Sequence, residues 1–345
     1  DPEKITHIKT DGKIWVVVAS IDSDEVLYRS EDGIEWRKIE LDTPPMKVLL
    51  SNIEIVNGVW IIKNRELREG TRDEGIYYSH DAMTWQHVVG PGGKNNSQLS
   101  LNNGHLVYEN IIYFKGAWLW VTTQYKKYNY IEKGFFSDSS KTDNYRTPII
   151  FFAQTLDSPW QHWDQAPRLP EGVGIKTLCA LPGESGLLAF CEYDHSYLRK
   201  KKKPDMPPFV MYFGAAKSWQ TSDWDSRSGF HHYGSPVISQ LGGKLRYFSS
   251  GQILSSAKGY DWCRQEATLY VDEHFDLADM SVFTSKNGRT IHLSQDGEQF
   301  KEITLDNGSW SQLSANDNGM LGVYCANKHE ETALMIGNYI FQAKA

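Results

Sequence analysis

The sequence predicts an all-β chain folded as a single β-propeller of seven four-stranded blades, with six as the alternative, residues 1–345 forming one domain. Three observations lead there. Strand-favouring aromatics are abundant, with 12 Trp, 18 Tyr and 14 Phe, while the long Ala/Leu/Glu/Lys stretches of a helical protein are missing. One short segment recurs along the chain: a strand ending in Ser, then x-Asp-Gly-x-x-aromatic, then another strand. Four short strands laid around each copy divide the chain into units of roughly 40 to 60 residues.

The first unit, Ile5–Leu41, reads as strands Ile5–Thr10, Lys13–Ser20, Glu25–Ser30 and Glu35–Leu41. The second, Val48–Val89, gives Ser51–Val56, Gly58–Lys63, Gly75–Ser79 and Trp85–Val89. In the third, His105–Gln165, the strands are Tyr108–Phe114, Ala117–Gln124 and Pro148–Gln154, with Trp160–Trp163 leading the fourth. The fourth, Gly174–Trp224, has Lys176–Leu181, Gly186–Tyr193 and Pro208–Gly214 before a poor last strand, and the fifth runs from Pro236 to Thr268. The sixth shows Met280–Ser285, Thr290–Ser294 and Gln299–Leu305 but hides its first strand. The last, Ser309–Ala343, has no recurring box, though Gly319–Ala326, Thr332–Ile336 and Tyr339–Gln342 alternate as strands do. With four strands at each end, the ring is expected to close by packing between terminal blades, a shared blade being the alternative.

The recurring box is complete at Tyr28-Arg-Ser-Glu-Asp-Gly-Ile-Glu-Trp36 and nearly so at His292-Leu-Ser-Gln-Asp-Gly-Glu-Gln-Phe300. Tyr78-Ser-His-Asp-Ala-Met-Thr-Trp85 lacks the glycine, and Ser256-Ala-Lys-Gly-Tyr-Asp-Trp262 has Lys258 where Asp is expected. Weaker traces are Thr155-Leu-Asp-Ser-Pro-Trp160 and Ala216-Lys-Ser-Trp219. The pattern resembles the Asp-box, or bacterial neuraminidase, repeat, which implies a turn between the third and fourth strands of a blade. The residue types suit a turn, because Asp and Ser can cap backbone N–H groups, Gly supplies a positive φ, and the aromatic packs between sheets. Ser30, Asp32, Trp36, Ser79, Asp81, Trp85, Ser256, Trp262, Ser294, Asp296 and Phe300 are therefore read as structural rather than catalytic.

A net charge of -7 gives no global attraction for a polyanion and disfavours nucleic acid as a partner. No apolar run is long enough to span a bilayer. The chain starts at Asp1 with no signal segment, so its compartment stays open: periplasmic or secreted if a leader was removed, cytoplasmic otherwise. Cys179, Cys191, Cys263 and Cys325 form no zinc pattern. A hairpin around Pro182–Gly186 would pair Cys179 with Leu188 or Ala189, which favours buried free thiols over a Cys179–Cys191 disulfide.

The connections between second and third strands lie opposite the box turns, and they vary most. They are Asn64–Glu74 with Arg68 and Arg72; Tyr125–Thr147 with Tyr125, Tyr128, Tyr130, Phe135 and Arg146; and Asp194–Pro207 with Arg199 and Lys201 in a five-residue basic run. Three long loops on consecutive blades would be spatial neighbours, and aromatics with Arg are common interface anchors. This face is read as the binding surface, its partner another protein or, as the second reading, a glycan. The alternative for the aromatics is that they fold the loop onto its own blade, and for the basic run that it is a solvated tip.

The Asp-box resemblance also raises sialidase chemistry, which needs three convergent arginines, a Tyr–Glu nucleophile pair and an Asp acid/base. No Arg-Ile-Pro tripeptide occurs; Arg146-Thr-Pro148 is the nearest echo and lies in the third unit. The resemblance thus implies the architecture without the sialidase catalytic motifs. No catalytic constellation, no metal-ligating spacing and no cofactor motif can be assigned, and His231, His232 and His329 stand alone.

Overall fold

The computed structural model describes residues 4–21, 24–41, 50, 53–63, 75–91, 106–133, 137–204, 209–222, 237–249, 252–265, 269–271, 273–277, 280–285, 288–304, 309–316, 319–325 and 332–336. It is a β-propeller. Each sheet is a meander of consecutive antiparallel strands. The first is β1 (Lys4–Thr10), β2 (Trp15–Ile21), β3 (Asp24–Ser30) and β4 (Arg37–Ile39). The second is β5 (Ile53–Val56), β6 (Val59–Lys63), β7 (Gly75–Ser79) and β8 (Gln86–Val89). The third is β9 (Leu106–Phe114), β10 (Ala117–Lys133), β11 (Asp138–Ala153) and β12 (Gln161–His162).

The fourth comprises β13 (Val173–Ala180), β14 (Leu187–Tyr193), β15 (Phe209–Phe213) and β16 (Trp219–Thr221), with helix α1 (His195–Lys200) between β14 and β15. The fifth comprises β17 (Val237–Leu241), β18 (Lys244–Ser249), β19 (Gln252–Ser256) and β20 (Cys263–Arg264). The sixth has β21 (Glu273–Asp276), β22 (Ser281–Thr284), β23 (Thr290–Ser294) and β24 (Lys301–Thr304), so its hidden first strand is Glu273–Asp276. These are six four-stranded blades. A further sheet has three described strands, β25 (Ser309–Asn316), β26 (Gly319–Cys325) and β27 (Thr332–Ile336); the expected Tyr339–Gln342 strand lies outside the described residues.

The second strands read as near-continuous apolar runs because they are covered on both faces, and side-chain alternation assigns each residue to one neighbouring sheet. In β10, Trp118 and Trp120 pack toward the second sheet against Ile61 and Tyr78, while Leu119 and Val121 pack toward the fourth against Leu178 and Leu187. In β14, Ala189 and Cys191 face the third sheet and Leu188 and Phe190 face Leu245, Tyr247 and Trp262 of the fifth. Each blade thereby supplies half of two hydrophobic layers, which no isolated blade could bury alone.

First strands neighbour one another around the axis: β1 lies against β5, β5 against β9, β9 against β13, β17 against β21, and β21 against β25. The ring closes where β25 packs against β1, and no strand is exchanged between the terminal sheets among the described residues. Four first strands carry a one-residue β-bulge. The extra residues are Thr6 in β1, Glu109 in β9, Lys176 in β13 and Ser311 in β25.

The third-to-fourth strand turns of the first, second and sixth blades share a Ser–Asp capping scheme, to which only the first adds a Trp Nε1 bond. In the first blade the Ser30 hydroxyl donates to Asp32 and accepts from Gly33 N–H, Asp32 Oδ1 accepts from the N–H groups of Ile34 and Glu35, and Trp36 Nε1 donates to the Gly33 carbonyl. Asp81 and Asp296 repeat it with Met83 and Thr84, and with Glu298 and Gln299. Ser30, Ser79, Ser256 and Ser294 are all buried. These donors hold the Asp32 carboxyl below its ordinary value, the N–H groups of Glu35 and Ile34 contributing most. At Asp81 burial pushes upward, and the N–H groups of Thr84 and Met83 outweigh it.

The fifth blade solves the same problem with a different residue. Lys258 occupies the usual aspartate position, and Asp261 instead accepts from Ser256 Oγ and from Lys258 N–H, while Gly259 N–H still reaches Ser256 and Trp262 Nε1 still reaches the Gly259 carbonyl. The carboxylate enters from the far arm of the turn.

Candidate binding surface

Most of the Tyr125–Thr147 segment, expected as a loop, is β-structure: residues 125–133 lie in β10 and 138–147 in β11. Strands β10 and β11 continue past their blade as a two-stranded ribbon, paired in unbroken register from Trp118↔Ala153 to Lys133↔Asp138. Strand β9 stops pairing at Gln124, and β12 pairs only with Phe151 and Phe152, so the ribbon leaves the sheet. The sequence hid this because one face of its outer half is polar apart from Ile131 and the other is marked only by Tyr128, Tyr130 and Tyr145 among charged residues, a short alternation next to the apolar runs of the blade strands.

Strict alternation gives the ribbon two faces. Lys127, Asn129, Ile131, Lys133, Asp138, Ser140, Thr142, Asn144 and Arg146 share one, and all are exposed. Tyr128, Tyr130, Asp143 and Tyr145 share the other and meet the fourth blade.

The Asp194–Pro207 segment contains α1. Asp194 caps it, its carboxylate accepting from Tyr197 N–H at 3.1 Å. Tyr197 and Leu198 point inward and pack with Tyr128, Tyr130, Tyr145 and Tyr193. The Tyr197 ring lies 4.9 Å from both Tyr128 and Tyr145, edge-on to the first. Its hydroxyl donates to Glu171 at 2.8 Å; burial, then that bond, push its pKa up to about 12.

Cations seal this contact. Lys200 pairs with Asp143, and Lys201 Nζ donates to the Asn129 carbonyl at 3.1 Å. The ammonium groups of Lys200, Lys201 and Lys203 lie 5.0, 5.2 and 5.5 Å from the ring centroids of Tyr130, Tyr128 and Tyr197. The insertions of the third and fourth blades are therefore one composite projection, joined by an aromatic cluster.

The structure sorts the residues expected to bind. Tyr128 is buried and Tyr130 half-buried, so both hold the projection together, and Lys201 braces the ribbon backbone. Arg146 and Arg199 are exposed, Tyr125 contributes its backbone to β10, and Arg68, Arg72 and Phe135 lie outside the described residues. Sequence reading missed Tyr197 and Leu198, whose spacing after the capping Asp194 was the available sign of a short amphipathic helix.

Two arginines serve the opposite face. Arg29 Nε donates to the Asp81 carbonyl in the next blade's turn and its Nη2 meets Glu31. Arg246 on β18 is 1% exposed and reaches Glu298 in the sixth blade's turn at 3.2 Å. Among the described residues no group of three His, Cys, Asp or Glu side chains is placed to hold a metal, and no helix is long and apolar enough to cross a membrane. Cys179 pairs with Leu188 and Cys191 with Ile175, so Cys179, Cys191 and Cys263 are free thiols.

No family model matches the chain, and no curated protein matches it. Solved structures do. A streptogramin B lyase superposes with a TM-score of 0.50 at 10% identity, over 93% of this chain and 90% of that one. The Pyrococcus horikoshii acylaminoacyl peptidase gives 0.53 at 8% identity, over 96% of this chain but only 50% of its own. Trypanosoma rangeli sialidase in complex with sialic acid is also similar, with a TM-score of 0.40 at 10% identity over 95% of this chain and 59% of that one. This chain thus spans about half the length of the peptidase. At such identity the first two likenesses show the propeller fold alone.

Proposed function

We propose that the chain is a noncatalytic propeller of the Asp-box type that recognises a protein partner through the face bearing the connections of the second to fourth blades, as an accessory, adaptor or inhibitor. One observation carries this reading: the composite projection formed by the ribbon and α1. Strands β10 and β11 have 17 and 16 residues, whereas the second and third strands of the other blades have four to seven. The excess adds nothing to the inter-blade layers, yet it is braced by an aromatic cluster and an ion pair to the next blade. Rigid presentation of an exposed polar surface lowers the ordering cost of binding. Arg146 and Arg199 are the exposed anchors on it, with Arg68, Arg72 and Phe135 in the adjoining segments proposed to contribute.

The test replaces residues 126–145 by an Asn-Gly turn between Tyr125 and Arg146, which already face each other across the ribbon. Cross-linking in extracts of the source cells is expected to capture a protein with the parent chain and lose it with the truncated one, whose propeller is checked by circular dichroism because the deletion uncovers Tyr197 and Leu198 and lowers the melting temperature. Identical capture by both, or hydrolysis of sialosides or other glycosides by the parent, would replace this reading with another face or with the glycan reading.

A further inference from the structure

We infer that the projection binds an acidic, extended peptide segment, added as a strand along the outer edge of β11. The inference rests on the proposed protein-recognition reading and names the chemistry of the partner.

Charge is the first argument. Residues 125–147 and 194–204 hold ten Lys and Arg against four Asp and Glu, while the rest of the chain holds 26 against 39. The projection is a basic pole on an acidic body. Some of its carboxylates are already committed: Asp143 to Lys200, Glu132 to Lys141, and Asp194 to the α1 cap. Lys126, Lys127, Lys133, Arg199 and Lys202 are exposed. Such a pole steers and orients an acidic partner while the rest of the surface repels it.

Backbone geometry separates a peptide from other polyanions. From Asp138 to Ile149 the edge of β11 away from β10 has no strand partner among the described residues, although Asn144 N–H is held by Asp143 Oδ1 and Pro148 has no N–H; the first main-chain contact to another strand there is Trp163 N–H to the Ile150 carbonyl. The inner edge of β10 differs, because Lys201 already occupies the Asn129 carbonyl. Apart from Asn144 and Pro148 the open β11 edge presents alternating N–H and C=O groups, which another peptide backbone can match and a phosphate or sulfated sugar cannot. An added strand would place its side chains in line with those of β11 on both faces, beside Lys141 on one and Arg146 on the other.

The experiment uses the full chain and a labelled twelve-residue peptide of alternating Glu and Thr, read by fluorescence anisotropy. Binding is expected to weaken with salt. It should fall at least about tenfold for K127E/K133E on the exposed face of the ribbon. It should fall similarly for a peptide of the same charge in which three Thr are replaced by Pro, which removes N–H donors without touching charge. Equal binding of the proline peptide, tighter binding of a charge-matched heparin oligosaccharide, or no binding at about 1 mM peptide overturns the inference. A partner that cross-links to the ribbon and ignores the acidic peptide also overturns it while leaving the protein-recognition reading intact. Loss of ribbon-dependent capture with peptide binding retained does the reverse.

Discussion

Gly297 is the position where one methyl group should cost most. Its φ is +69°, and a Cβ there would lie 2.2 Å from Nε and 2.3 Å from Cδ of Arg246, a side chain that is 1% exposed and has no room to retreat. Two costs add for Gly297→Ala: about 1–2 kcal/mol for a left-handed backbone at a residue with a side chain, and about 1–3 kcal/mol for overpacking. The second blade shows that the first cost is tolerable, because Ala82 fills the corresponding turn position with φ of +55° while fully buried. Gly58, with φ of +72° and nothing within 4 Å among the described residues, is the control that meets the backbone cost alone. Urea unfolding followed by tryptophan fluorescence should therefore place Gly58→Ala about 1–2 kcal/mol and Gly297→Ala about 2–5 kcal/mol below the parent. In an Arg246→Ala background the Gly297→Ala cost should shrink to the Gly58 value, a coupling of about 1–3 kcal/mol. Coupling under about 0.5 kcal/mol, with common m values, would refute the close approach between the fifth blade and the sixth blade's turn.

Two other outcomes follow from charge and burial. The box carboxylates Asp32, Asp81, Asp261 and Asp296 have folded pKa values below their ordinary 3.8, so their stabilisation is present above that value and is lost as pH falls through the lower folded values. Melting temperatures of Asp296→Asn and the parent should differ at pH 7 and begin to converge as pH falls below about 3.8; a gap independent of pH argues against the capping role. Burial pushes the Cys179 and Cys191 thiols up to about 12, whereas Cys263 is exposed. Iodoacetamide at pH 8 followed by peptide mapping should modify Cys263 in the folded chain and the other two only after denaturation, and early labelling of Cys191 would contradict its place between the third and fourth blades.

The repeat made the scaffold legible. A Ser, an acid and an aromatic at fixed spacing must sit on a tight turn, and the apolar runs on either side fix the strands, so the blades could be laid out from Ile5 onward. Legibility failed where the repeat was broken by substitution in place. Asp261 was passed over because its carboxylate approaches the fifth turn from the wrong arm, and Arg246 because a charged residue occupies a column filled by Val16, Ile61, Leu119, Leu188 and Val282 in other blades. That odd residue was itself the available signal. The projection failed for a different reason. The buried face of the ribbon is only a few tyrosines packed on α1, too short a stretch to impose a period of two on its outer half, and the partner helix is six residues long, too short for a helical period to rise above composition.

The bulges at Thr6, Glu109, Lys176 and Ser311 sit at nearly one level, each three to five residues past the first paired residue of the neighbouring second strand, Trp15, Ala117, Leu187 or Gly319. At that level the innermost strands are one residue longer than the strands they pair with, so chain length and sheet length are uncoupled there. A ring of tightly interlocked wedges has little slack, and these positions are its expansion joints. Single-residue deletions at Thr6 or Lys176 are absorbed by straightening the strand, whereas the same deletion in β2 or β14 would turn every later side chain to the wrong neighbour. The innermost circle of the propeller is therefore where sequence length can drift without the blades losing register.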